Sequence, residues 1–213
     1  MTKVKKKVQS WISHEAKIAF KTGLTPNQIS ALGLTFAIIS GLSYWLAGTT
    51  SPNQYWPIPM ILAPIFVLIS GFCDALDGAL ARLYGKTTVF GGFLDSLLDR
   101  YADSAIYIGI MMGGLCDIWW GAAALVGSLL VSYARARSEA AGVKMETVGI
   151  AERADRLLII VSASFISLIW RETLRWCMIL LALLTNFTVL QRAAYFHRRS
   201  KPRKEGSSES SSS

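Results

Sequence analysis

Residues 74–99 read DALDGALARLYGKTTVFGGFLDSLLD, with aspartates at positions 74, 77, 95 and 99. Reduced to a skeleton, the stretch is D-x2-D-G-x2-A-R-x8-G-x3-D-x3-D, and it lies between two strongly apolar runs. A carboxylate at the centre of a membrane helix costs roughly 2.5–3.5 kcal/mol on insertion scales. Four of them need a compensating cation, and a bound divalent metal is the natural one. Steps of three and four residues return to nearly the same helix face. Asp74, Asp77 and Ala81 therefore form one stripe, with Gly78 and Arg82 beside it, and Gly91, Asp95 and Asp99 form another. The connection between them is short. It predicts antiparallel neighbouring helices whose stripes face each other.

The remainder of the chain places this stretch in a bilayer. Of 213 residues, 52% are hydrophobic, and the mean hydropathy is +0.39. That composition predicts an all-α integral membrane protein rather than a soluble domain. The net charge of +8 does not point to nucleic acid, because the basic residues cluster at the ends of apolar runs. Clusters so placed answer anionic headgroups and the positive-inside rule.

Residues 3–20 predict an amphipathic interfacial helix, with Val4, Val8, Trp11, Ile12, Ala16 and Phe20 at helical spacing behind a lysine-rich start. Six spans are then expected at about 27–46, 56–83, 90–114, 118–136, 157–170 and from after 175 to about 195. The expected organisation is a juxtamembrane helix over 1–22, a six-helix transmembrane catalytic domain over 23–198 and a disordered basic, Ser-rich tail over 199–213. No cleavable signal peptide is expected. With six spans, the basic N-terminus, residues 82–86, residues 135–156 and the tail fall on one side, the cytoplasm of a multi-pass cell-membrane protein. Cys73, Cys116 and Cys177 lack metal-ligand spacing and are expected to be packing residues.

Hard oxygen ligands at this density suit Mg²⁺ or Mn²⁺. Two such ions about 3.5–4 Å apart are a known device for in-line displacement at phosphorus. Gly78 and Gly91 leave room for a substrate near the backbone, Ala81 is small for the same reason, and Arg82 supplies a fixed charge for a phosphate. Asp103 extends the second stripe by one turn. It is expected to support the metal residues or to pair with Arg100.

The skeleton resembles the signature of the CDP-alcohol phosphotransferases without a departure, and the likeness extends over nearly the whole six-span layout. The resemblance implies transfer of a phosphatidyl-type group from a CDP-activated lipid (CDP-diacylglycerol or CDP-archaeol) to an acceptor hydroxyl, with release of CMP. It implies metal binding by Asp74, Asp77 and Asp95, and by Asp99 a role as metal ligand or as the base that deprotonates the acceptor. Gly78, Ala81 and Arg82 would contact the cytidine diphosphate, with Gly91 making room near it. Asn27, in a Pro-Asn pair at the first span's cytoplasmic end, would lie near the nucleotide. The resemblance also implies a homodimer.

Residues 132–156 read SYARARSEAAGVKMETVGIAERADR. Arg135, Arg153 and Arg192 lie at the ends of three different spans, on the aspartates' side, and guanidinium groups suit phosphate in a fork geometry. The pieces YARARSEA and GIAERADRLL resemble the branch of that family that makes phosphatidylinositol phosphate or its archaeal ether-lipid equivalent, archaetidylinositol phosphate. That likeness implies inositol 1-phosphate as acceptor, its phosphate held by the three arginines. Glycerol 3-phosphate and serine are the alternative acceptors. A non-enzymatic cation transporter is the alternative class, against which stands the lack of a convincing internal repeat.

Overall fold

The computed structural model describes residues 12, 14–49, 57–145, 148–150 and 152–200. Among them the chain is all helix and connecting turn. A short helix α1 (residues 14–21) precedes α2 (Pro26–Thr49), α3 (Pro57–Leu83), α4 (Val89–Met112), α5 (Ile118–Ala140), α6 (Arg153–Ser167) and α7 (Thr173–Ser200).

Three of these helices begin on caps written in the sequence. Thr25 and Gln28 form a reciprocal box at the head of α2: the Thr25 N–H donates to Gln28 Oε1 at 2.9 Å and the Gln28 N–H to Thr25 Oγ1 at 3.4 Å. Pro26 occupies the first helical position, where its missing N–H costs nothing. The Thr88 hydroxyl accepts from the Gly91 N–H at 2.9 Å and starts α4. Glu152 and Asp155 form the reciprocal box that starts α6. This cap begins α6 at Arg153, one turn before the expected apolar run.

Packing around α2 shapes the cleft. α2 lies along both α3 and α4, whereas α3 and α4 touch each other only sparingly. The expectation of α3 and α4 as directly packed neighbours is thereby corrected, and glycines supply the reason. A Cβ on Gly41 would run into the Ala105 backbone, one on Gly109 into the Gly41 backbone, and one on Gly113 into the carbonyl of Tyr44. Small residues let helix backbones approach closely where lipid gives no hydrophobic drive. This seam draws α4 onto α2 and leaves the space between α3 and α4 open. α5 pairs with α7 in the same manner, Gly127 lying against Thr185 and Asn186. α6 bridges α3 and α7. Buried hydrogen bonds join the parts, from Tyr44 to Ser164 at 2.7 Å and from Tyr107 to Ser128 at 3.1 Å.

α1 docks rather than floats: Ala16 and Ala19 are buried with Ile29, Cys73 and Leu80. Phe20 stacks on Tyr84 with ring centroids 3.7 Å apart, and Lys86 Nζ lies 4.9 Å from the Phe20 centroid. The other expected face residues Val4, Val8 and Trp11 lie outside the described residues. The three cysteines are free and buried, as packing residues should be. In the turn after α4, burial pushes the Cys116 thiol up to about 11.

Among the described residues three helices, α2, α3 and α7, are long and apolar enough to cross a membrane. α4 is as long but carries Asp95, Asp99, Arg100 and Asp103. α6 has 15 residues, about 22 Å of rise, less than a ~30 Å hydrocarbon core. α7 runs on through Ser200, so residues 199 and 200, expected in the disordered tail, are helical. The remaining tail, 201–213, lies outside the described residues.

The seam makes a prediction. Gly41→Leu should destabilise the detergent-solubilised protein by about 1–3 kcal/mol or more, the ordinary cost of overpacking, seen as a lower Tm. An unchanged Tm would show that the α2–α4 contact is not close.

Candidate active site

Two adjoining hollows lie in the space that the seam leaves open. The deeper one is lined by Asp74 and Asp77 of α3, by Asp95 and Asp99 of α4, by Ser30 of α2 and by Arg153 of α6. Asp74, Asp95 and Asp99 each offer an oxygen, and the three lie within 4.8 Å of one another. The facing stripes expected from residues 74–99 are thus brought together, across a gap rather than through direct packing. Asp77 lines this hollow and the next one. It is buried and accepts a short hydrogen bond from Ser30 Oγ. Ser30 lies one turn beyond Asn27 on α2. That spacing was the signal that could have identified it.

Two observations test the fit of a metal here. The donor set is all carboxylate oxygen, which suits Mg²⁺ or Mn²⁺. The chain also already places a cation among these oxygens, the Arg153 guanidinium. Its Nη1 lies 2.8 Å from Asp99 Oδ1 and 3.2 Å from Asp74 Oδ2. The free space is about 10 Å³, roughly the room of one water-sized body. The residues therefore fit a small hard cation.

The shallower hollow, about 170 Å³, opens beside the first. Asn27, Gly78, Ala81, Arg82 and Gly91, all singled out from sequence, line it, together with Lys86 and Thr88, which were not. The N-termini of α2 and α4 both meet this hollow, and helix N-termini present N–H donors and a positive dipole to anions. Arg82 and Lys86 add full charges. Gly91 has a specific reason to lack a side chain: a Cβ would meet Thr88 Oγ1 at 2.9 Å and Asn27 Oδ1 at 3.5 Å. At Gly78 a Cβ would meet only the flexible Arg82 guanidinium, 3.1 Å away.

The three arginines divide. Arg192 is buried and donates from Nε to the Val148 carbonyl at 2.8 Å and from Nη1 to the Val131 carbonyl. Val131 lies one helical turn before Arg135, so Arg135 and Arg192 share a neighbourhood. Arg135 is exposed, with its Nε 2.9 Å from Glu139 Oε1. Gly149, at φ +132°, lays the loop before α6 over Arg192; a Cβ there would strike Thr188. Arg153 instead faces the carboxylates. Its Nε lies 2.9 Å from Asp103 Oδ1, and Arg156 Nη2 lies 3.5 Å from Asp103 Oδ2. Arg100 pairs with Asp99 at 3.3 Å. Of the two expectations for Asp103, support of the metal-side residues is the one the contacts match.

Comparison with known proteins agrees with this geometry. The CDP-alcohol phosphatidyltransferase family profile matches residues 23–186. The archaetidylinositol phosphate synthase of Pyrococcus horikoshii is 38% identical over 194 residues, covering 90% of this chain and 94% of that protein. Two crystal structures of the Mycobacterium tuberculosis phosphatidylinositol phosphate synthase, one with CDP-DAG bound and one in complex with manganese and citrate, each superpose with TM-score 0.74 at 28% identity. Both cover 87% of this chain, and 92% and 88% of theirs.

Ser30→Ala removes the tether on Asp77. It should weaken Mn²⁺ binding roughly 10–100-fold, as loss of a ligand's hydrogen-bond partner commonly does. A Mn²⁺ titration of the purified variant checks this, and unchanged affinity would mean that Asp77 needs no tether.

Proposed function

The chain belongs to the CDP-alcohol phosphatidyltransferase family, and from that premise we propose that it transfers a phosphatidyl-type group from a CDP-activated lipid to inositol 1-phosphate, releasing CMP. The observation that carries this reading is the pair of adjoining hollows. One is lined by hard carboxylates, the other by small residues, two helix N-termini and two basic side chains. Arg153 of α6 lines the carboxylate hollow, and Arg135 of α5 and Arg192 of α7 lie in a neighbourhood of their own. The names of the similar synthases support the acceptor.

Asp74, Asp77, Asp95 and Asp99 would hold the metal, Mg²⁺ or Mn²⁺, as two ions. When bound, it supplies positive charge against the diphosphate and the departing CMP. The remaining work falls to the chain. The N-termini of α2 and α4, with Arg82, orient the diphosphate. Asn27, Gly78, Ala81 and Gly91 admit the nucleotide close to the backbone. Asp99 takes the proton from the acceptor hydroxyl as that oxygen attacks the lipid-side phosphorus. Arg135, Arg153 and Arg192 hold the acceptor's phosphate. Arg192's ties to Val131 and Val148 fix its guanidinium, which has five N–H donors in all.

Residues 23–198 make the catalytic unit, crossing the membrane six times, with α6 as the short crossing. The site would face the cytoplasm, a reading supported by the basic residues at the carboxylate end. The protein acts as a homodimer, and the lipid tails of the donor are ether- or ester-linked.

An acceptor panel on purified protein tests the reading. CMP release from CDP-lipid should require Mg²⁺ or Mn²⁺ together with inositol 1-phosphate. Turnover with glycerol 3-phosphate or serine but not with inositol 1-phosphate would refute the acceptor. Asp99→Asn should lower kcat by about 10²–10⁴-fold, the usual worth of a general base, while sparing CDP-lipid binding more than Asp74→Asn does. Full activity in Asp99→Asn would remove its role as base. Arg135→Ala should raise the KM for inositol 1-phosphate by roughly tenfold or more, as loss of a charge-assisted hydrogen bond does, with the CDP-lipid KM unmoved.

A further inference from the structure

Arg153 is engaged by the chain's own carboxylates. Its Nη1 is shared between Asp99 Oδ1 at 2.8 Å and Asp74 Oδ2 at 3.2 Å, and its Nε lies 2.9 Å from Asp103 Oδ1. Asp74 and Asp99 belong to the triad whose oxygens lie within 4.8 Å of one another; Asp103 does not. A divalent cation and Nη1 therefore need the same two carboxylates, while the bond from Nε to Asp103 competes with nothing. Arg100 cannot fill this place. Its ion pair is with Asp99, and its Nη1 also donates to the Ser96 carbonyl at 2.8 Å, so it does not bridge Asp74 and Asp99 as Arg153 does. Arg156 reaches Asp103, outside the triad. Arg153 thus joins α6 to α3 and α4 through the very oxygens that would bind metal. Like-charged carboxylates so close in a low-dielectric setting must gain a cation or a proton, and the Arg153 guanidinium is a cation that the chain itself supplies.

We infer that Arg153 is the built-in counterion of the metal-free site, which metal displaces from Asp74 and Asp99 while Asp103 keeps hold of its Nε as a pivot. Without metal the guanidinium offsets part of the carboxylates' charge and the chain stays folded, and metal frees Nη1 to meet another anion. Resting on the acceptor reading above, that anion is the phosphate of inositol 1-phosphate. Linkage then makes metal and acceptor reinforce each other's binding by one common factor.

Mn²⁺ binding to the full-length protein in detergent, followed by the EPR signal of free Mn²⁺ with no CDP-lipid present, tests this. Arg153→Gln should bind Mn²⁺ tighter by about fivefold or more, the lower end of common coupling factors. Its Tm in EDTA should fall, and Mn²⁺ should raise it by more than in the unaltered protein. Unchanged or weaker Mn²⁺ affinity would overturn the counterion role. Should Arg153→Gln fail to fold, the unaltered protein still decides: phenylglyoxal should label Arg153 faster with Mn²⁺ than with EDTA, and equal rates overturn the inference. Inositol 1-phosphate should tighten Mn²⁺ binding in the unaltered protein and not in Arg153→Gln. If Arg153→Gln tightens Mn²⁺ but inositol 1-phosphate has no effect in the unaltered protein, the counterion role stands and the acceptor assignment falls.

Discussion

Mutual repulsion among the carboxylates of Asp74, Asp77, Asp95 and Asp99 is the constraint on which the rest of the structure depends. The offered oxygens of Asp74, Asp95 and Asp99 lie within 4.8 Å of one another, and in a chain this apolar such a cluster must be relieved by positive charge or by a proton. That need explains the Arg153 guanidinium among them, the cap that begins α6 at Arg153, and the burial of Asp103 and Arg156 behind it. It also explains how one cluster serves both stability and chemistry. A site that already seats a cation among its carboxylates is shaped for a metal-assisted transfer of phosphorus.

Carboxylates alone would make only a sink for cations. α2 turns them into a site with an entrance. Its glycine seam with α4 holds α3 and α4 apart, and its capped N-terminus meets that of α4 at the mouth of the shallower hollow. The Ser30 hydroxyl, on the same helix, ties Asp77 at the boundary of the two hollows. A diphosphate bridging them would meet small residues and N–H donors on one side and metal on the other. α1 steadies the mouth through Phe20, Tyr84 and Lys86.

Much of this was legible in residues 74–99. Helical periodicity alone aligns Asp74 with Asp77 and Asp95 with Asp99. It also marks Gly78, Ala81, Arg82 and Gly91, and all four line one hollow. What periodicity cannot give is the third body. Nothing in the spacing shows α2 set against both helices, because its contact with α4 rests on backbone meeting backbone at Gly41 and Gly109. Arg153 was expected from sequence to hold an acceptor's phosphate, and its pairing with Asp74, Asp99 and Asp103 was not readable, since an ion pair across fifty or more residues leaves no local trace. Arg192's hold on the Val131 and Val148 carbonyls is hidden for the same reason. The short α6 was misplaced by a turn because its cap, Glu152 with Asp155, lies inside a charged segment that hydropathy assigns to a loop.

The account stands or falls on what the carboxylates hold. Anomalous diffraction from crystals of the chain grown with Mn²⁺ measures this directly. The account predicts a peak among Asp74, Asp95 and Asp99, with the Arg153 guanidinium moved off Asp99 and still held at Asp103. Strong Mn²⁺ peaks elsewhere, with Arg153 still bridging Asp74 and Asp99, would contradict it.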